Sequence, residues 1–452
     1  MTLKSKLFSL ASLGLLASSP VHAVDLVGVH DMALDYDPTL RAAAFRLQAA
    51  HEEDDIAWSN LLPQLSAGGR WNWGTSKTDV ANLALDDTDI ETNNYSLDLR
   101  QSLYRQSNYE YLDIARGQIS QAEAVYQIAY QDFLLRVSES YFTVLTLLDG
   151  VTFAEAEEKA FQRQFEQAEQ RFEVGLTAVT DVHEARATYD NARARAIVAR
   201  NNLADAKQSL FELTGEHFEI FDALQESLPL VKPDPINSQQ WVEMALQNNP
   251  QVLAARAAYD ISDANLDLAR SGYFPTLDLV AGYSRFTNEK YVYRNFDDEG
   301  NLEEFNTNLQ NDDMSFGLVL DIPLYLGGRV TQQTQQARYL MDATGQDVDA
   351  TNNAIVRQTE NAYRAVLAGI QEVEAFRQAS ISAESALEAT QAGFEVGTRT
   401  IVDVLIAEQR KYQAQRDNSV ARHAYILRHL QLKSVAGQLT SEDLAVVNQL
   451  LQ

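Results

Sequence analysis

Residues 65–73 read Leu65-Ser66-Ala67-Gly68-Gly69-Arg70-Trp71-Asn72-Trp73, with apolar, aromatic or small side chains on every second position. A strand turns successive side chains to opposite faces, so this stretch has one greasy face and one polar or small face. The pattern returns three times. Tyr95, Leu97, Leu99, Gln101 and Leu103 alternate with polar residues, as do Leu277, Leu279, Ala281 and Tyr283, and then Phe316, Leu318, Leu320, Ile322 and Leu324. Period two sustained over about ten residues is the signature of a membrane-spanning strand. The strands are expected at about 63–73, 95–104, 275–285 and 314–325. Two acidic loops are expected between paired strands, about Gly74 to Asn94 (Asp86, Asp87, Asp89) and Asn288 to Asp313 (Asp297, Asp298, Glu299), facing the cell exterior. Trp71, Trp73, Tyr283 and Tyr325 are expected at the membrane interfaces. Four strands cannot close a membrane barrel, for which about eight is the practical minimum, so closure demands an oligomer.

Outside these strands the chain reads as helix. None of its nine prolines lies between residues 64 and 228 or after 323, and helix interiors exclude proline. The segments 106–172 and 330–394 are rich in Ala, Gln, Glu and Arg, and each predicts one helix of about 65 residues, roughly 100 Å long. A helix of that length needs a neighbour along its whole side, as in a coiled coil or helical barrel. Partner helices are expected at 180–214 and 401–436. Shorter ones are expected from Pro38 to about Asn60 and from Pro250 to about Gly272, each with Asp or Asn as N-cap before the proline.

The chain is also written twice. Met32-Ala33-Leu34 returns as Met244-Ala245-Leu246, Asp37-Pro38 as Asn249-Pro250, and Leu62-Pro63-Gln64-Leu65 as Phe274-Pro275-Thr276-Leu277. Farther on, Phe172-Glu173-Val174-Gly175 returns as Phe394-Glu395-Val396-Gly397, and Asp181-Val182 as Asp403-Val404. Ordered matches along the whole chain indicate internal duplication. The expected division is a signal peptide over 1–23, a first repeat over 24–228, a linker over 229–241, a second repeat over 242–436 and a C-terminal segment over 437–452. The signal peptide rests on Lys4 and Lys6, the apolar run Leu7 to Ala17, and the small-x-small site Val21-His22-Ala23.

Composition narrows the function. The 452 residues hold 36 Lys and Arg against 64 Asp and Glu, a formal charge of −28, and no cysteine. An acidic chain without a basic face argues against nucleic acid. The missing cysteines remove disulfides, thiolate metal sites and a cysteine nucleophile. No phosphate-cradling glycine loop, G-x-S-x-G elbow or H-E-x-x-H motif occurs, so neither an enzyme nor a cofactor is expected. His51-Glu52-Glu53-Asp54-Asp55 reads as a solvated acidic turn of helix, and His423 and His429 fall on different helix faces.

Arg171-Phe172-Glu173-Val174-Gly175-Leu176, Thr180-Asp181-Val182, the run Val396 to Leu405, and Ile322-Pro323-Leu324-Tyr325-Leu326-Gly327-Gly328 together resemble the TolC family of outer-membrane efflux proteins, over essentially the whole mature chain. The resemblance implies a mainly α fold with β strands. In it a homotrimer has four strands per protomer in a twelve-stranded outer-membrane barrel, continuous with a long periplasmic helical barrel. A mixed belt would come from residues 215–241 and the C-terminal residues. It implies a passive exit duct for drugs, toxic small molecules or polypeptide, joined to a periplasmic adaptor and an inner-membrane pump of RND, ABC or MFS type, with outer-membrane lipid around the barrel. It also implies a periplasmic gate, with Arg399 tied to Asp181 and Thr180 of the neighbouring coiled coil and a carboxylate ring at Asp403. The chain departs from the family at Phe394, where a tyrosine hydroxyl is lost, and at Ile406, where a second acidic ring becomes hydrophobic. Spacing alone makes Arg399 and Asp403 a surface pair worth a few tenths of a kcal/mol. The competing class is a structural coiled-coil envelope protein without a channel, which would not need the alternating strands.

Overall fold

A computed structural model describes residues 23–76, 79–80, 83–84, 88–296 and 302–452. The expected signal peptide lies outside the described residues apart from Ala23, as do Asp86, Asp87, Asp297, Asp298 and Glu299 of the acidic loops. In chain order the elements are α1 (Leu26–Tyr36), α2 (Pro38–Ser59), β1 (Gln64–Ser76), β2 (Asp79–Val80), β3 (Leu83–Ala84), β4 (Thr88–Arg105), α3 (Gln106–Glu173), α4 (Val179–Thr214), α5 (Ser238–Asn248), α6 (Pro250–Ser271), β5 (Thr276–Phe296), β6 (Leu302–Asp321), α7 (Arg329–Glu395), α8 (Ile401–Val435) and α9 (Ser441–Asn448). Among the described residues no helix is long and apolar enough to cross a membrane.

The helices α3 and α7 run for 68 and 67 residues, about 100 Å each. Each is flanked by two shorter helices along its length. Helices α2 and α4 pack on α3, α6 and α8 pack on α7, and α6 and α8 also lie against α3. The order of the wall is therefore α2-α3-α6-α7 near the strands and α4-α3-α8-α7 at the far end. Two proline junctions start α2 and α6. Asp37 accepts from the Thr39 N–H at 3.0 Å and Asn249 from the Gln251 N–H at 2.8 Å, each capping a helix whose first residue is proline. The helices α1 and α5 that precede these junctions carry too few residues for a clear period, and sequence reading left them out.

The four long strands form one antiparallel sheet in the order β1-β4-β5-β6, leaving β1 and β6 as its edges. The register sets Leu65 opposite Leu99, Leu97 opposite Tyr283, and Leu279 opposite Leu318. Four strand ends depart markedly from expectation. β4 begins at Thr88, and β5 and β6 stay paired as far as Phe296↔Leu302, past a register shift between Asn288 and Tyr291. Much of the two expected loops is therefore hairpin, because backbone pairing continues after the apolar alternation stops. β6 ends at Asp321, before Ile322 and Leu324, because Pro323 has no N–H to give the ladder.

The main core sits midway along the helices, where a belt wraps them. Phe133, Val137, Tyr141 and Phe142 of α3 pack with Leu210, Trp241, Tyr363, Val366, Leu430 and Leu444. The belt is stitched by short bridges, Val24 with Phe221 and Leu224 with Leu451. The Tyr141 hydroxyl lies 2.9 Å from the Asp222 carbonyl and 3.2 Å from that of Val24.

Candidate channel wall and gate

The sheet sorts its side chains by face. Leu65, Trp71, Trp73, Tyr95, Leu97, Tyr283, Met314, Phe316, Leu318 and Leu320 share one face, and all are exposed in the single chain. Exposed apolar area on this scale marks a surface meant for another apolar phase. At its outer limit Trp71 packs edge-on against Tyr95 with ring centroids 5.6 Å apart, and its Nε1 donates to the Tyr95 hydroxyl at 3.1 Å. Level with Tyr95 in the register, Arg285 pairs with Asp312 at 2.6 Å, so the rim carries charge as well as aromatic rings. An apolar band that ends in a rim of aromatic and charged side chains is the profile of a bilayer boundary. Tyr325 lies toward the opposite, helical end of the sheet. It lies in the turn between β6 and α7, 85% exposed.

The opposite face carries Ser66, Arg70, Asn72, Ser96, Asp98, Gly282, Ser284, Ser315 and Asp313. At its helical end the buried Asp278 accepts from Arg100 at 2.6 Å and Arg105 at 3.0 Å. Asn108, which donates to the Asn60 carbonyl at 2.8 Å, joins them around a polar cavity of about 220 Å³. Sequence reading missed this junction, because Arg100, Arg105 and Asp278 come from different repeats.

At the far end each helix pair turns back through a glycine in the left-handed region, Gly175 at φ 77° and Gly397 at φ 80°. The turns are closed by Leu176 N–H to the Arg171 carbonyl at 2.8 Å and Thr398 N–H to the Gly393 carbonyl at 2.9 Å. Behind them Phe161, Ala168, Ala185, Ala192, Ile401 and Leu405 form a small apolar core, with Val182, Phe394 and Val402 against it. This core joins the two helix pairs of one chain. Over it, the Arg171 guanidinium sits 4.7 Å from the Phe394 ring.

The expected gate residues divide into two groups. Phe394 and the start of α8 are brought into this core. Asp403 is turned back on its own helix start: it accepts from the Thr400 N–H and hydroxyl, both at 2.9 Å, while the Thr400 hydroxyl caps the Asp403 N–H at 3.3 Å. This capping box, with Arg399 nearby, holds the Asp403 carboxyl below the usual carboxylate range. Arg399, Thr180 and Asp181 are not joined within the chain. Asp181 accepts from the Thr177 hydroxyl, Thr180 is exposed in the first turn of α4, and the Arg399 side chain is exposed beside Gly393. Ile406 is 42% exposed on α8. Sequence reading did not find Arg171 as a contact of Phe394, or Thr400 as the partner of Asp403. The second was legible, since a threonine three residues before an acid at a helix start is a capping-box pattern.

Comparison with known proteins agrees with this geometry. The family described as outer membrane efflux protein matches residues 29–216 and 241–438. The chain is 37% identical over 442 residues to the outer membrane protein TolC of Vibrio cholerae, covering 98% of this chain and 97% of that protein. It is 33% identical over 440 residues to TolC of Escherichia coli, covering 96% and 86%. The solved outer membrane protein VceC of Vibrio cholerae superposes with a TM-score of 0.70 at 20% identity, covering 91% of this chain and 96% of that one. The chain thus belongs to the outer membrane efflux protein family, and it is an exit duct of the outer membrane.

Proposed function

We propose that three copies of this chain assemble into one continuous duct, with a twelve-stranded barrel in the outer membrane and a helical tunnel in the periplasm. The observation that carries this reading is the sheet itself. Four strands with a bilayer-type outer face leave β1 and β6 as unpaired edges, and open edges are not tolerated in hydrocarbon. A three-fold ring joins β6 of one protomer to β1 of the next and removes every edge. Channels of this family work with pump components. In this reading the tunnel receives drugs, toxic small molecules or a secreted polypeptide from a periplasmic adaptor and an inner-membrane pump of RND, ABC or MFS type, and the pump supplies the energy. No catalysis by this chain is part of it.

The gate belongs to the same proposal. Arg399 of one protomer reaches Asp181 and Thr180 of its neighbour, Asp403 forms the carboxylate ring, and Ile406 adds a hydrophobic ring one turn away. The exposure of Arg399 and Thr180 in the single chain supports an inter-protomer partner. Outer-membrane fractions run with and without heating test the assembly. The expected result is a trimer-sized band that collapses to monomer on boiling; a monomer under both conditions contradicts it. With assembly established, Arg399→Ser should raise resting conductance and sensitise cells to large antibiotics. Unchanged conductance from normal trimers would leave packing alone to hold the tip.

A further inference from the structure

The seam between α3 and α8 buries two carboxylates just above the apolar core of the tip. Glu157 of α3 is 2% exposed and Glu408 of α8 is 7% exposed. Glu157 accepts from Arg195 of α4 at 2.8 Å through Oε1, while its Oε2 is buried without a partner. Glu408 Oε2 and Gln164 Oε1 of α3 are likewise buried and unpartnered. Three acceptors without a donor in one seam are costly, since each gave up water for nothing. A proton on one carboxyl supplies a missing donor.

The cations nearby are already engaged. Lys411 of α8 bonds Glu384 of α7 at 3.0 Å, Arg195 bonds Glu157, and Arg200 of α4 bonds Glu155 at 2.8 Å. Arg163 of α3 donates to the Lys159 carbonyl at 3.3 Å and acts on Glu408 from a distance, and Glu408 in turn helps hold the Tyr412 hydroxyl above its usual range. Among the described residues, no cation lies within ion-pair distance of Glu408. Burial pushes its carboxyl above the usual range. Glu157 adds to that shift, and Arg163, Lys411 and the Gln164 side chain only partly oppose it.

Glu408 lies five residues beyond Asp403 on the same helix, and the core residues Ile401 and Leu405 lie beneath it. Whatever loosens α8 from α3 at this height frees the tip. We propose that Glu408 is a proton-binding site built into this seam, keeping the helix pairs packed while its proton is on and letting α8 part from α3 when the proton leaves to entering water. The proposal rests on the gated-duct reading. Its sign follows from linkage. A carboxyl whose packed-state pKa is raised favours the packed state at low pH and loses that contribution as pH rises through the raised value. Each unit of that rise changes the packed-to-loosened ratio about tenfold per subunit. The seam is thus tight in acid and loose toward neutrality.

The test uses the full-length trimer in lipid vesicles, spin-labelled at Gln167→Cys of α3 and Gln409→Cys of α8, both exposed positions in a chain without native thiols. Label distances are recorded from about pH 5 to about pH 8, with conductance measured in parallel. The expected result is a population of longer distances that grows with pH and is absent at every pH in Glu408→Gln. A distance distribution independent of pH, or an identical pH response in Glu408→Gln, overturns the proposal. If the distances respond as expected while conductance does not follow them, the proton site stands and the reading of this tip as the gate fails.

Discussion

The guanidinium of Arg171, in the last turn of α3, lies 4.7 Å from the ring of Phe394, in the last turn of α7. An arginine from the other helix pair thus covers the face of the Phe394 ring. A cation over an aromatic face contributes about 0.5–1 kcal/mol at an exposed site. In the proposed trimer three copies would give a bias of about 1.5–3 kcal/mol, or roughly tenfold to a hundredfold in a two-state gate. Arg171→Ala and Phe394→Ala should each raise resting open probability in single-channel records. Phe394→Ala should do more, because it also removes apolar packing. Phe394→Tyr should keep the closed state. If Arg171→Ala behaved as the parent channel, this contact would carry no part of the closure.

The two sheet faces should respond differently to charge. Leu318 points to the apolar face and Ser315 to the polar one. Leu318→Arg places a cation in hydrocarbon and should cost about 2–4 kcal/mol of folding into bilayers, read as loss of heat-modifiable trimer. Ser315→Arg should assemble normally and shift reversal potentials toward anions. Equal damage from both would mean that the sheet is not a membrane wall.

In the belt, Tyr141 is fully buried and its hydroxyl meets the Val24 and Asp222 carbonyls. Tyr141→Phe leaves the Asp222 carbonyl without its donor, while the Val24 carbonyl keeps the Asp222 N–H at 3.2 Å, and should cost about 1–3 kcal/mol per protomer, with faster protease cleavage of the segment before α1. Phe142→Ala, emptying a fully buried site, should cost about 3–5 kcal/mol. Thermal unfolding of detergent-purified protein checks both. A smaller loss for Phe142→Ala than for Tyr141→Phe would contradict this ranking.

His423 supplies a pH dependence for the same region. Burial pushes its imidazole down to about 4, and its Nδ1 lies 2.8 Å from the Thr146 hydroxyl. A base whose folded pKa is lowered contributes fully above its unfolded value, about 6.5, and that contribution fades as pH falls toward about 4. Belt stability should therefore decline over this window in the parent protein. In His423→Gln the decline should be smaller. An unchanged acid profile would place the sensitive group elsewhere.

Much of this architecture is legible in the sequence where one local rule acts alone. The alternation from Leu65 to Trp73 gives the membrane face, and the absence of proline from 64 to 228 gives the length of α3. The hairpins beyond Thr88 and as far as Phe296 were not legible, because backbone pairing holds polar residues there without an apolar period. The belt bridges, such as Val24 with Phe221, join segments nearly 200 residues apart through single backbone pairs and leave no pattern. At the tip, the matched glycines Gly175 and Gly397 mark both turns. The contact of Arg171 with Phe394 crosses from one repeat to the other. Its counterpart in the second repeat is Gly393, so the duplication itself conceals it.

The central claim is that a four-stranded sheet with two open edges and its helices become a duct only when copies of the chain close on one another. Reconstitution of the purified full-length protein in planar bilayers tests it most directly. The account predicts discrete, uniform conductance steps from the heat-modifiable trimer and none from boiled monomer. Correctly folded, membrane-inserted trimers that pass no ions, even with Arg399→Ser in the tip, would contradict it and leave the long helices as a structural element of the envelope.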